Sequence, residues 1–137
     1  MAQPCLPPGD ADPLAELDGL RLLVVDDEEL LLIALGSLLR AAGAVVLSAP
    51  DTAVALSYLF TNSVDLVLTD FHLPDRTGVW LAEWIAAHLP ALPVVLMSAS
   101  VPPSGTILPA SVKHFVRKPF DTGTLVELLI HTARRGA

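Results

Sequence analysis

The chain has 137 residues, 53% of them hydrophobic, and a formal net charge of −7. That length supports one buried core, and the acidic balance without a lysine/arginine block excludes direct nucleic-acid binding, which depends on phosphate neutralisation. The single Cys5 leaves no disulfide framework and suits a reducing cytosol. No basic-then-apolar leader reads as a signal peptide, and the longest apolar stretch, Leu30 to Leu35, is too short for a bilayer. The expectation is a soluble cytoplasmic protein without membrane association.

Residues 1–18 hold Pro4, Pro7, Pro8, Gly9 and Pro13, and read as a flexible leader docking locally through Leu14 and Leu17. Residues 19–135 read as one domain in which short apolar runs alternate with helix-length segments. A strand at Leu20–Val25 leads to a helix over Glu28–Ala42, ended by Gly43. A strand at Ala44–Ser48 follows, and Asp51 caps a helix to Phe60. Leu66–Thr69 is the third strand, and the Pro74–Gly78 turn opens a helix to His88. Val94–Met97 and Lys113–Arg117 are the last strands, and a final helix covers Asp121–His131. Between those strands Pro102, Pro103, Gly105 and Pro109 oppose a regular fourth helix, which is expected to be short, irregular or missing. The alternation predicts an α/β doubly wound parallel sheet covered on both faces.

Asp26 and Asp27 close the first strand, Asp70 closes the third, and Lys118 follows the fifth. Parallel strands wound this way bring their C-terminal ends to one crevice, where three carboxylates and one ammonium would meet. Clustered carboxylates repel, so they persist where a divalent cation or a phosphoryl group uses them. The pattern therefore points to Mg²⁺ and a phosphate.

The segments LLVVDDEE, DLVLTDFHLPDRTG, PVVLMSAS and HFVRKPF, in this order, resemble the receiver domain of two-component response regulators across residues 20–134. The resemblance implies a flavodoxin-like sheet of order 2-1-3-4-5. It makes Asp70 the phosphoacceptor for a sensor histidine kinase or histidine phosphotransfer protein. Asp27 directly, Asp26 through water, Asp70, and the backbone carbonyl of His72 would hold Mg²⁺. Ser98 and Lys118 would bind the phosphoryl group, and Ser98 with Phe115 would form the conformational switch. Phe115 lacks a phenolic hydroxyl, so its inward state gains packing without a hydrogen bond. His72 and Ser100, two past Asp70 and Ser98, would tune the rate of phosphoryl loss. The chain is then a single-domain response regulator: not an enzyme on a separate substrate, but a phosphoacceptor catalysing its own Mg²⁺-dependent phosphorylation and dephosphorylation.

Two faces point to partners. Leu30, Leu31, Ala34, Leu35 and Leu38 suffice for a core stripe on the first helix, which leaves Leu32, Ile33 and Gly36 for a docking face or a covering leader. On the third helix Val79, Ala82 and Ile85 suit the core, so Trp80 and Trp84 lie together elsewhere. They suggest a second contact such as a homodimer, against the competing reading of partial burial on the neighbouring helix. The alternative function is a phosphorylation-independent receiver-like adaptor, which has no reason to keep buried like charges. A small aspartate phosphatase is disfavoured because His72 stands where an acid/base carboxylate would be needed.

Overall fold

A computed structural model describes residues 17–100 and 106–136. The elements are β1 (Arg21–Val25), α1 (Glu29–Ala41), β2 (Val45–Ala49), α2 (Thr52–Thr61), β3 (Leu66–Asp70), α3 (Gly78–His88), β4 (Val94–Ser98), β5 (Val112–Arg117) and α4 (Thr122–Gly136). All four pairings are parallel and the strand order is β2-β1-β3-β4-β5, as expected. The central strands β3 and β4 are buried throughout, the signature of a sheet covered on both faces.

Side chains alternate across the pleat. Leu22 and Val24 of β1 pack with Leu32, Leu35 and Leu39 of α1 and Leu125 and Leu129 of α4. Leu23 and Val25 pack with Ala55 of α2 and with Leu81, Ala82 and Ile85 of α3. The sheet thus separates an α1/α4 layer from an α2/α3 layer. Leu17 is buried in the first of these, and the turn behind it needs Gly43, whose φ of 98° places its Cα hydrogens against Asp18. Leu14, Cys5 and the rest of residues 1–16 lie outside the described residues.

The link between β4 and β5 carries no helix among its described residues, Ala99–Ser100 and Thr106–Ser111; Pro102, Pro103 and Gly105 lie outside them. An irregularity between Val94 and Val95 makes Lys113 the extra residue in β5, after which Phe115 pairs with Leu96 and Arg117 with Ser98. The final helix runs past its expected end at His131 to Gly136.

The docking face expected on α1 is corrected. Leu32 and Gly36 are buried, whereas Leu30 is 82% exposed and Ala34 is exposed too; Ile33, at 59%, lies outside as expected. The run Leu30–Ile33 supplies apolar residues around the whole helix, so periodicity leaves its rotation open and packing on β1 and β2 settles it. Gly36 is small because Arg40 folds back across it, donating from Nη2 to the Val46 carbonyl on edge strand β2 at 3.0 Å. On α3, Leu81 joins Ala82 and Ile85 in the core while Val79 is half-buried. Trp80 and Trp84 are half-buried against the α2/α3 layer, the competing reading. The Arg76 guanidinium lies 4.3 Å over the Trp80 ring, and Trp84 meets Phe60 edge-on and stacks on His88.

Candidate functional site

Strands β1 and β3 are neighbours in register, so their C-terminal ends deliver Asp26, Asp27 and Asp70 to one place. One carboxylate oxygen from each lies within 4.8 Å of the others. Asp26 is fully buried and Asp70 nearly so, while Asp27 faces solvent. The donors are all oxygens and sum to three negative charges. That set fits a hard divalent cation, which takes carboxylate ligands and keeps several waters.

Lys118 reaches this cluster from the end of β5. Its Nζ lies 2.7 Å from Asp26 Oδ2, 3.4 Å from Glu28 Oε1 and 3.6 Å from Asp70 Oδ1. Burial alone would lower its pKa, but the hydrogen bond and charge of Asp26, then the charge of Asp70, raise it above its usual value, so the ammonium stays charged. The Lys118 N–H donates to the Ser98 carbonyl at 2.7 Å, which joins the loop after β5 to the end of β4. The Lys118–Pro119 peptide is cis.

Asp70 carries the strain of the cluster. Burial first, then the negative charge of Asp26, push its pKa up, and Lys118 with the Phe71 N–H only partly offset them. The Phe71 N–H donates to Asp70 Oδ1 at 3.0 Å. An ionised Asp70 therefore sits where another positive charge is favourable.

The remaining predicted residues take graded positions around this centre. Ser98 is buried at the end of β4, one residue past the Asp70–Met97 pair, and its Oγ accepts from the Ser100 N–H at 3.2 Å. His72 and Ser100 are both exposed on the loops after β3 and β4, and the His72 ring packs edge-on to Phe71. Phe115 is half-buried on β5.

Three further residues shape the site without having been singled out from the sequence. Glu28, adjacent to the acid pair, gives Lys118 a second partner, and its N–H donates to Asp26 Oδ1 at 2.8 Å. Gly78 begins α3 directly against Asp70: an added Cβ would collide with the Asp70 carbonyl oxygen. A glycine closing a strand-to-helix turn was visible, but the backbone it touches was not. Asp75 accepts from the N–H groups of Thr52 and Ala53 at the start of α2, each at 3.0 Å. An Asp after Pro reads as a turn former, and its distant partners leave no local signal.

The family model described as the response regulator receiver domain matches residues 22–130. The transcriptional regulatory protein GlrR of Escherichia coli K12 is 33% identical over 110 residues, covering 79% of this chain and 25% of its own length. The response regulator protein PilR of Pseudomonas aeruginosa is 35% identical over 120 residues, covering 83% of this chain and 26% of its own. The chain thus spans about a quarter of the length of these curated relatives. Among solved structures, the response regulator TrrA of Thermotoga maritima, in complex with Mg²⁺-BeF, superposes with a TM-score of 0.76 at 26% identity over 82% of this chain and 98% of that one. Fold, pocket and sequence agree, and the chain belongs to the family of response regulator receiver domains.

Proposed function

We propose that Asp70 accepts a phosphoryl group from a phosphohistidine of a sensor kinase or histidine phosphotransfer protein, in a Mg²⁺-dependent step, and that the phosphorylated domain signals through protein contacts. The observation that carries this reading is the convergence of the Asp26, Asp27 and Asp70 oxygens within 4.8 Å beside the Lys118 ammonium. The three carboxylates and the His72 backbone carbonyl would hold Mg²⁺, which supplies neutralisation and alignment of the phosphoryl oxygens.

A carboxylate oxygen of Asp70 attacks phosphorus; the O–P bond forms as the donor's N–P bond breaks, and the electron pair leaves on the imidazole nitrogen. Lys118 turns from Asp26 toward a phosphoryl oxygen, a short reorientation given its 3.6 Å approach to Asp70. Ser98 gives up the contact from the Ser100 N–H and donates its hydroxyl to the phosphoryl group. Phe115 moves inward in the same transition. In dephosphorylation a water oxygen bonds to phosphorus as the Asp70 O–P bond breaks, its electron pair returns to the carboxylate and inorganic phosphate leaves. His72 and Ser100, both exposed, regulate water's access. The chain thereby catalyses its own phosphorylation and dephosphorylation and acts on no separate substrate.

The phosphodonor docks on the exposed side of α1. Leu30, Ile33 and Ala34 face outward there. An apolar groove of about 530 Å³, lined by Ala34 together with Leu31, Leu38, Pro119 and Phe120, reaches Lys118. A homodimer through the α3 tryptophans has less support, because both rings are half-buried. No helix among the described residues is long and apolar enough to cross a membrane.

Intact mass after addition of acetyl phosphate tests the reading. A Mg²⁺-dependent gain of one phosphoryl group, absent in Asp70→Asn, is expected. No adduct and no Mg²⁺ binding would leave the adaptor reading.

A further inference from the structure

The segment joining β3 to α3 is held at both ends. At its base the Gly78 N–H donates to the Phe71 carbonyl at 2.8 Å, and Phe71 itself is tied to β4 through the Met97 carbonyl at 2.8 Å. At its tip Asp75 grips another element altogether. Its Oδ1 accepts from the Thr52 N–H at 3.0 Å and the Arg76 N–H at 2.8 Å, and its Oδ2 accepts from the Ala53 N–H at 3.0 Å. Helix α2 already has its own cap, Asp51, which serves the Val54 N–H at 2.8 Å. The first two N–H groups of α2, which a helix cannot satisfy internally, are thus met from a different loop.

Between the anchors at Phe71 and Asp75 lie only His72, Leu73 and Pro74. Pro74 has a restricted φ, and Leu73 packs against the α2/α3 layer. His72 therefore has little freedom left once Asp75 is seated. Burial raises the Asp75 pKa, but the N–H groups of Thr52, Ala53 and Arg76 together bring it below the ordinary aspartate range, so the grip is made by an ionised carboxylate.

We propose that Asp75 is a positioning residue of the phosphoryl site: by clamping the β3–α3 loop onto the N-terminus of α2, it holds the His72 backbone where Mg²⁺ binds. The inference rests on the proposed Mg²⁺ role and adds a residue that touches neither cation nor phosphate. Groups that orient a metal ligand from behind commonly change affinity by tenfold or more when removed. The Asp75 carboxylate acts in that way on a backbone ligand.

Isothermal titration with MgCl₂ of the whole chain tests it, using wild type, Asp75→Ala, Asp75→Asn and Asp51→Ala, with thermal midpoints measured alongside. Asp51→Ala removes a cap from the same helix without touching the loop, and so controls for stability. Asp75→Ala is expected to bind Mg²⁺ about tenfold more weakly. Asp75→Asn, which keeps one acceptor oxygen, falls between, and Asp51→Ala binds as wild type does. Equal affinity in Asp75→Ala and wild type overturns the inference and leaves the proposed function standing. An equal loss in Asp51→Ala also overturns it, by tracing the effect to α2 itself. Wild type that binds no Mg²⁺ removes the functional reading and this inference together. Should Asp75→Ala not fold, Asp75→Asn against Asp51→Ala decides in the same way.

Discussion

Asp70 and Asp75 stand at the two ends of one short stretch of chain, and their surroundings push them in opposite directions. Asp70 is buried beside Asp26, and burial and like charge raise its pKa; Asp75 is exposed and surrounded by backbone N–H groups, which lower its own. The same side chain therefore resists ionisation in one place and is held ionised as a joint in the other. Negative charge without enough neutralisation marks a place where further positive charge is favourable. Negative charge fully met by N–H donors marks architecture.

The largest test of this contrast removes the Lys118 ammonium from the pocket. Lys118→Met leaves Asp26, fully buried, without its ammonium partner. Breaking such a pair is expected to cost about 3 kcal/mol in chelator. Millimolar Mg²⁺ should restore part of the loss, because the same carboxylates would then share a different cation. Urea denaturation with EDTA and with Mg²⁺ measures both, and identical losses would show that the trio does not take the ion.

A second test acts on Asp70 through pH. A carboxyl whose folded-state pKa lies above its ordinary 3.8 binds protons more readily folded than unfolded. Ionised Asp70 therefore subtracts stability at neutral pH and returns it as pH falls through the raised pKa. Asp75 has the reverse sign: its contribution is present above 3.8 and is lost as pH falls through the lowered value. Asp70→Asn should thus raise the thermal midpoint at pH 7 in EDTA, with the gain shrinking toward acid pH. A gain independent of pH would mean that the strain at Asp70 is not electrostatic.

The smallest effect lies at the Asp75 joint. The Thr52 N–H meets Asp75, but its buried hydroxyl is the one buried side-chain polar atom without a partner recorded among the described residues. Thr52→Val keeps the shape and removes the orphan, so a gain of about 1 kcal/mol is expected by chemical denaturation. A loss instead would reveal that the hydroxyl is satisfied by a bound water and belongs to the joint.

The charged cluster was legible in the sequence because its residues sit at strand ends, where local pattern and parallel winding together give position. Asp26, Asp27, Asp70 and Lys118 all follow short apolar runs, and the described fold brings them together at the C-terminal ends of the strands. The joints were not legible. Asp75 is bonded to residues from before β3, and Gly78 is required by a backbone atom that only the folded turn brings close.

Helix α1 shows the same division. Its presence follows from the run between Glu28 and Gly43, yet its rotation does not, because Leu30 to Ile33 offer apolar side chains in every direction. By itself, then, the amino-acid pattern determined the alternation of strands and helices, a parallel sheet covered on both faces, and the charged cluster at the strands' C-terminal ends, since strand and helix periodicities and strand-end charges are local properties. Only the tertiary structure decided which α1 leucines face outward and which distant N–H groups an aspartate holds. Those outcomes depend on how one element packs against another, and no single stretch of chain contains that information.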